Sequence, residues 1–281
     1  MAMTIGTNVM SLNAQRATNA SQNSLSVSMQ RLSSGLRVNS AKDDAAGLAI
    51  AERMNSQIRG MTVAIRNAND GISMAQVAEG GLSTVSDMLQ RMRELAVQAT
   101  NSTNTSSDLA SLNKEYAQLG SEINRTLTSG VQFNGVAILN STAAFDFQVG
   151  ANNGQTISVA SADISLSGSN VSATFGTGAA SALNTATNSA NGAIITAIDA
   201  ALTTISERRA SLGAVQSRFE NTVSFLQNAV ENQSAARGRI MDADFATETA
   251  NLSRSQILQQ AGTAMIAQAN QLPQGVLALL R

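Results

Sequence analysis

Residues 252–280 read LSRSQILQQAGTAMIAQANQLPQGVLALL. Apolar side chains fall at Leu252, Leu258, Ala261, Met265, Ala269, Leu272, Val276 and Leu279, mostly three or four apart. That spacing draws one apolar stripe along an α-helix, with Gln256, Gln259, Gln260, Gln268 and Asn270 on the remaining faces. Between Arg254 and Arg281 there is no Asp, Glu, Lys or Arg, so amides are the main solubilising groups and the helix needs a partner. Residues 5–36 carry a similar stripe at Ile5, Val9, Leu12, Leu25, Met29, Leu32 and Leu36. Complementary apolar helices at the two ends predict a mainly α fold. The expected shape is a folded-back rod of long helices.

Composition narrows the function. The chain has 281 residues, of which 43% are hydrophobic but only 3% aromatic, so its core is aliphatic and suits thin helical bundles. A net charge of -1 gives no broad basic field for nucleic acid or an anionic membrane. Histidine and cysteine are both absent, which removes Ser-His-Asp and Cys-His catalysis, thiolate and imidazole metal sites, and disulfides. No catalytic constellation, cofactor site or metal site is expected. The N-terminal residues lack a basic region followed by a compact apolar core, so no Sec signal is read there. No run of about 18 apolar residues suggests a membrane span.

Along the chain, a first helix is expected from about Thr4 to Ser34, stopped by Gly35. At about 1.5 Å per residue it would be roughly 45 Å long. Ser40 followed by Asp43 is a capping-box pattern that predicts the next helix, Asp43 to about Ala99. Gly60, Gly71 and Gly80-Gly81 interrupt it, through either close neighbours or local bending. Ser106 or Ser107 is expected to cap a third helix ending near Leu127. Residues 144–149 alternate as a strand does, and with 156–159 they predict a β-hairpin. Residues 161–191 are rich in Ser, Thr, Ala, Gly and Asn, which predicts either short strands or a flexible lobe. Helical pattern returns near Gly192, and Asp242 and Asp244 are placed to open the final helix. Asp43-Asp44 reads as helix N-terminal charge and not as an acid–base pair. Leu89, Met92, Leu95 and Ala96 point inward, leaving Arg91, Arg93, Glu94 and Gln98 outward or at the edge.

Several stretches resemble the signatures of bacterial flagellins. These are residues 30–50 (QRLSSGLRVNSAKDDAAGLAI), 66–73 (RNANDGIS), 133–135 (FNG), 147–152 (FQVGAN), 234–237 (SAAR), 242–246 (DADFA) and 272–281 (LPQGVLALLR). The likeness covers about residues 1–160 and 190–281, in order. One departure is Gln233, which stands where the family pattern has leucine. The other is the middle lobe, far shorter than in flagellins with large outer domains.

The resemblance implies a structural subunit of the bacterial flagellar filament and no enzyme. Residues 1–39 and 239–281 would be the two halves of an inner coiled-coil domain. Residues 40–160 and 192–238 would form a helical rod domain with the β-hairpin, and residues 161–191 a surface lobe. Self-assembly would run through the terminal helices, at Ile5, Val9, Leu12, Leu25, Met29, Leu32, Leu36, Leu252, Leu258, Met265, Leu272, Val276 and Leu279. Ordering of those helices would be coupled to polymerisation. The resemblance further implies unfolded export through the flagellar type III channel to an extracellular filament. An export chaperone would hold the C-terminal helix, with filament-cap and hook-junction proteins as assembly partners. It implies contact of a vertebrate Toll-like receptor with Gln90, Arg91, Leu95 and Glu115. The cytosolic inflammasome sensor would read Val276, Leu277, Leu279 and Leu280. Neither nucleic acid nor membrane insertion enters. The alternative is a hook–filament junction protein with similar end helices.

Overall fold

The computed structural model describes residues 7–160, residue 183 and residues 191–279, with side chains up to 271. Ile5, Leu280 and all of the expected lobe except Leu183 and Asn191 therefore lie outside the described residues. Five long helices carry the described chain. They are α1 (Val9–Ser34), α2 (Ala45–Ala99), α3 (Ser106–Arg125), α4 (Asn191–Met241) and α5 (Phe245–Leu279). A π-helical turn, Thr126–Gly130, follows α3. Two antiparallel hairpins come next. β1 (Gln132–Phe133) pairs with β2 (Val136–Ala137), and β3 (Phe145–Gln148) pairs with β4 (Thr156–Val159). The second hairpin is the one the alternation predicts. The first was not predicted, because two-residue strands have no periodicity. Asn134 and Gly135, with φ of 51° and 77°, supply its positive-φ corner.

The chain divides into two compact units, residues 57–231 and residues 1–56 with 232–281. In the first, α2 buries positions 61, 64, 68, 71, 75, 78, 82, 85, 89, 92, 96 and 99, an unbroken alternation of three and four. A strict seven-residue repeat of this kind is the rule for helices packed knobs-into-holes. In α4, Ile198, Ala201, Ile205, Leu212, Phe219 and Leu226 are buried on the same repeat, and in α3 Leu109, Tyr116 and Ile123 are. Ile138, Leu139, Ile157 and Val159 join this core from the hairpin region. Asn191, fully buried at the start of α4, donates its amide to the carbonyl of Ala99 at 3.3 Å. Leu183 is buried against this unit, its N–H bonded to Asn113 Oδ1 at 3.0 Å.

The glycines of α2 separate by environment. A Cβ on Gly71 would lie 2.7 Å from Phe219 Cζ, and one on Gly60 would lie 2.9 Å from Ala151 Cβ. One on Gly81 would collide with Val131, whereas Gly80 has nothing within 4 Å. Close approach, not bending, accounts for three of the four. Phe219 in turn meets Phe147 edge-to-face, with centroids 5.4 Å apart at 87°.

Helix starts depart from the sequence reading by a few residues. Asp43 does not open α2. Its Oδ2 accepts from the N–H groups of Asn39 and Ser40 and the Ser40 hydroxyl, which closes a turn. Asp44 is the cap, accepting from Gly47 N–H at 2.8 Å. Thr105 caps α3 in place of Ser106 or Ser107, in a reciprocal capping box with Asp108. Asp244 caps α5, accepting from Ala246 N–H at 3.0 Å and the Thr247 hydroxyl at 2.7 Å. Those bonds, Thr247's first, hold the Asp244 carboxyl below its ordinary value. Asp242 opens no helix and instead pairs in a bridge with Leu36.

The two glycine environments give a paired test. Gly71→Ala is expected to destabilise the chain by about 1–3 kcal/mol through the Phe219 clash. Gly80→Ala is expected to stabilise it by up to about 1 kcal/mol through helix propensity. Denaturant unfolding of both variants checks this, and equal effects would contradict it.

Candidate functional site

The second unit is built on the antiparallel pair of α1 and α5. The corner after α1 is tied to the corner before α5 by main-chain bonds, Ala243 N–H to Gly35 O at 3.0 Å and Arg37 N–H to Met241 O at 2.6 Å. Gly35 takes φ 71° and caps α1 through its N–H to Arg31 O. From there the helices run together. Arg31 lies 3.8 Å from Glu248, and Gly262 is placed against Thr18, such that a Cβ on Gly262 would lie 2.5 Å from Thr18 Oγ1. At the far end the Asn8 amide donates to Ala269 O at 2.8 Å.

The residues that face each other are mostly small or polar. On α1 the buried and half-buried positions include Ser11, Ala14, Thr18, Ser21, Leu25, Ser28 and Leu32, with Arg31 beside Leu32. On α5 they include Glu248, Leu252, Ser255, Gln259, Gly262, Ile266 and Ala269. Both sets alternate by four and three, so the pair is a heptad coiled coil whose seam is dominated by Ser, Thr, Ala, Gly and Gln. This corrects the reading of two apolar stripes facing each other. Small side chains let backbones come close, and the sequence reading ranked positions by hydropathy, which passes over such a seam. Gln259, expected on an outer face, lies in the contact.

The larger apolar side chains are left outside. Val9, Leu12 and Met29 on α1, and Leu258 and Met265 on α5, are at least half exposed, while Leu25, Leu32, Leu36, Leu252 and Ile266 are partly covered. Met10, Val27, Phe245 and Ile257 are also exposed, at 42–65%, and belong to the same outer surface although the stripe reading omitted them. Hydropathy alone could have found them. Leu272, Val276, Leu277 and Leu279 sit on the last turns of α5, beyond the described side chains. Two grooves flank the pair. One, about 480 Å³, is lined by Met10, Ala14, Ala17, Leu258, Ala261 and Met265. The other, about 550 Å³, is lined by residues including Ser24, Val27, Arg31, Asn251, Arg254 and Leu258.

In the unit of residues 57–231, Gln90, Arg91 and Glu115 are exposed together, while Leu95 is in the core at 1% exposure. Arg91 donates to Glu115 at 2.9 Å and to Glu94 at 2.8 Å, and these bonds, Glu115's first, raise its pKa further. Arg93 donates to both carboxylate oxygens of Asp199, at 2.7 and 3.4 Å. Exposed pairs of this kind hold side-chain positions more than they add stability. Among the described residues no group of three Asp or Glu converges to hold a metal ion, and no helix is long and apolar enough to cross a membrane. What the geometry offers is adhesive surface.

Comparison with known proteins agrees with that geometry. Residues 5–144 match the family model for the bacterial flagellin N-terminal helical region, and residues 195–280 match that for the C-terminal helical region. A flagellin of Halalkalibacterium halodurans is 47% identical over 280 residues, spanning 99% of this chain and 100% of its own length. Flagellins of Xenorhabdus nematophila and Bacillus subtilis are 44% and 40% identical over 316 and 305 residues, again over their full lengths. The chain belongs to the bacterial flagellin family.

Proposed function

We propose that this chain, a flagellar filament subunit by its family, polymerises through the outer faces of α1 and α5. The observation that carries this is the inverted burial of the pair. Its seam is small and polar, while Val9, Met10, Leu12, Met29, Leu258 and Met265 stand in solvent. Fully burying such a side chain contributes about 1.5–3 kcal/mol, so covering the exposed half of each offers about 1 kcal/mol apiece. Copies stacked head-to-tail cover these faces with contacts that do not close, which makes a helical filament and not a ring. The inner domain is then residues 1–39 with 239–281, and its ordering is coupled to assembly. Ile5, Leu272, Val276 and Leu279 extend the same contact. The flagellin relatives match over their full lengths, and nothing in them favours the hook-junction alternative.

The finer roles rest on the family. The chain is exported unfolded through the flagellar type III channel, held at its C-terminal helix by a chaperone and inserted under a filament cap. Gln90, Arg91 and Glu115 form the accessible part of a Toll-like receptor contact, and Leu95 supports it from the core. The inflammasome sensor reads Val276, Leu277, Leu279 and Leu280.

Leu258→Asp or Met265→Asp is expected to raise the critical concentration for seeded polymerisation at least about tenfold, whereas Ser107→Asp leaves it unchanged. Sedimentation and electron micrographs read the outcome, and wild-type polymerisation of both face variants would refute the assignment. For the receptor, Arg91→Ala should lower activation potency in reporter cells; unchanged potency would remove that contact.

A further inference from the structure

The chain has no cysteine, so its oxidisable sulfur lies in eleven methionines. The structure sorts those it describes into distinct environments. Met61, Met74 and Met92 are 8%, 2% and 0% exposed in the core of residues 57–231, and Met54, Met88 and Met241 are partly covered. Met10, Met29 and Met265 are 65%, 57% and 62% exposed, and all three stand on the α1–α5 pair. Met10 and Met265, from different helices, line the same apolar groove. Among the described methionines, the most accessible thioethers thus occupy the faces assigned to polymerisation.

We propose that Met10, Met29 and Met265 are a reversible oxidation site that controls subunit addition, with hydrogen peroxide as the oxidant. This rests on the assembly reading above. Each thioether sulfur attacks one peroxide oxygen and the O–O bond breaks. A sulfoxide S–O bond forms, and the other oxygen leaves as water after taking up a proton. Sulfur gives up two electrons and peroxide gains them. A thiol-dependent sulfoxide reductase reverses the step, returning the oxygen as water while two thiols become a disulfide. The sulfoxide is a polar group at a position that must leave water when a second copy docks, so it opposes burial. Subunits already in a filament have these sulfurs covered. Free subunits are therefore the sensitive form.

The test treats the full-length monomer with hydrogen peroxide and maps oxygen uptake peptide by peptide. Met10, Met29 and Met265 should oxidise at least about tenfold faster than Met61, Met74 and Met92, and should be protected in filaments. Oxidised monomer should show a critical concentration at least about tenfold higher, restored by the reductase with a dithiol. The triple variant Met10→Leu, Met29→Leu, Met265→Leu should show the same critical concentration before and after peroxide treatment, whatever its untreated value. Unselective oxidation, normal assembly of the oxidised chain, or persistent peroxide inhibition of the triple variant would each overturn the proposal. Leu258→Asp separates the two levels. If it assembles normally the face assignment falls, and if it fails while oxidised chain assembles, only the oxidation site falls.

Discussion

Thr18 against Gly262 sets what the α1–α5 pair can bury. With Ser, Ala, Thr and Gly repeated along the seam, two backbones come close but little apolar area leaves water between them. The pair holds together through heptad register, the Asn8–Ala269 hydrogen bond, the Arg31–Glu248 contact and the bonded corners at residues 35–37 and 241–243. The larger aliphatic and thioether side chains are displaced to the flanks. A helix pair that put them in its own seam would be better satisfied alone and would have less reason to bind a neighbour.

The unit of residues 57–231 makes the opposite choice. Its seven-residue repeat is filled with Leu, Val, Met, Ile, Ala, Phe and Tyr, nearly all at zero exposure. Glycines stand where Phe219, Ala151 and Val131 approach. This unit closes its heptad core within one chain and carries charge on its outside, including Arg91 with Glu94 and Glu115 and Arg93 with Asp199, while Phe225, Val97 and Val136 also stand exposed. One chain therefore combines a finished core with an unfinished pair, which suits a subunit that must be soluble before assembly and adhesive during it.

Much of this was legible in the residues. Long helices, the Gly35 stop and the β3–β4 hairpin follow from periodicity and turn chemistry, and the family signatures fix the assignment. The misses have physical causes. Asp244 caps α5 as the acidic pair predicted, but Asp44 and Thr105 took the caps of α2 and α3 because a cap depends on which carboxylate or hydroxyl reaches an orphan N–H, and that shifts by a residue or two without altering the pattern. The β1–β2 hairpin is too short to show alternation. The seam of α1 and α5 was hidden because Ser, Thr and Gly carry no hydropathy signal. Their value there is smallness.

Since the chain has no cysteine, single probes can be placed cleanly. The most direct measurement is maleimide labelling of Leu258→Cys in monomer and in filament, with Ser107→Cys as the exposed control. The account predicts rapid labelling at 258 in the monomer and strong protection in the filament, with 107 reactive in both. Equal labelling at 258 in the two states would show that neighbours do not cover this face, and would contradict it.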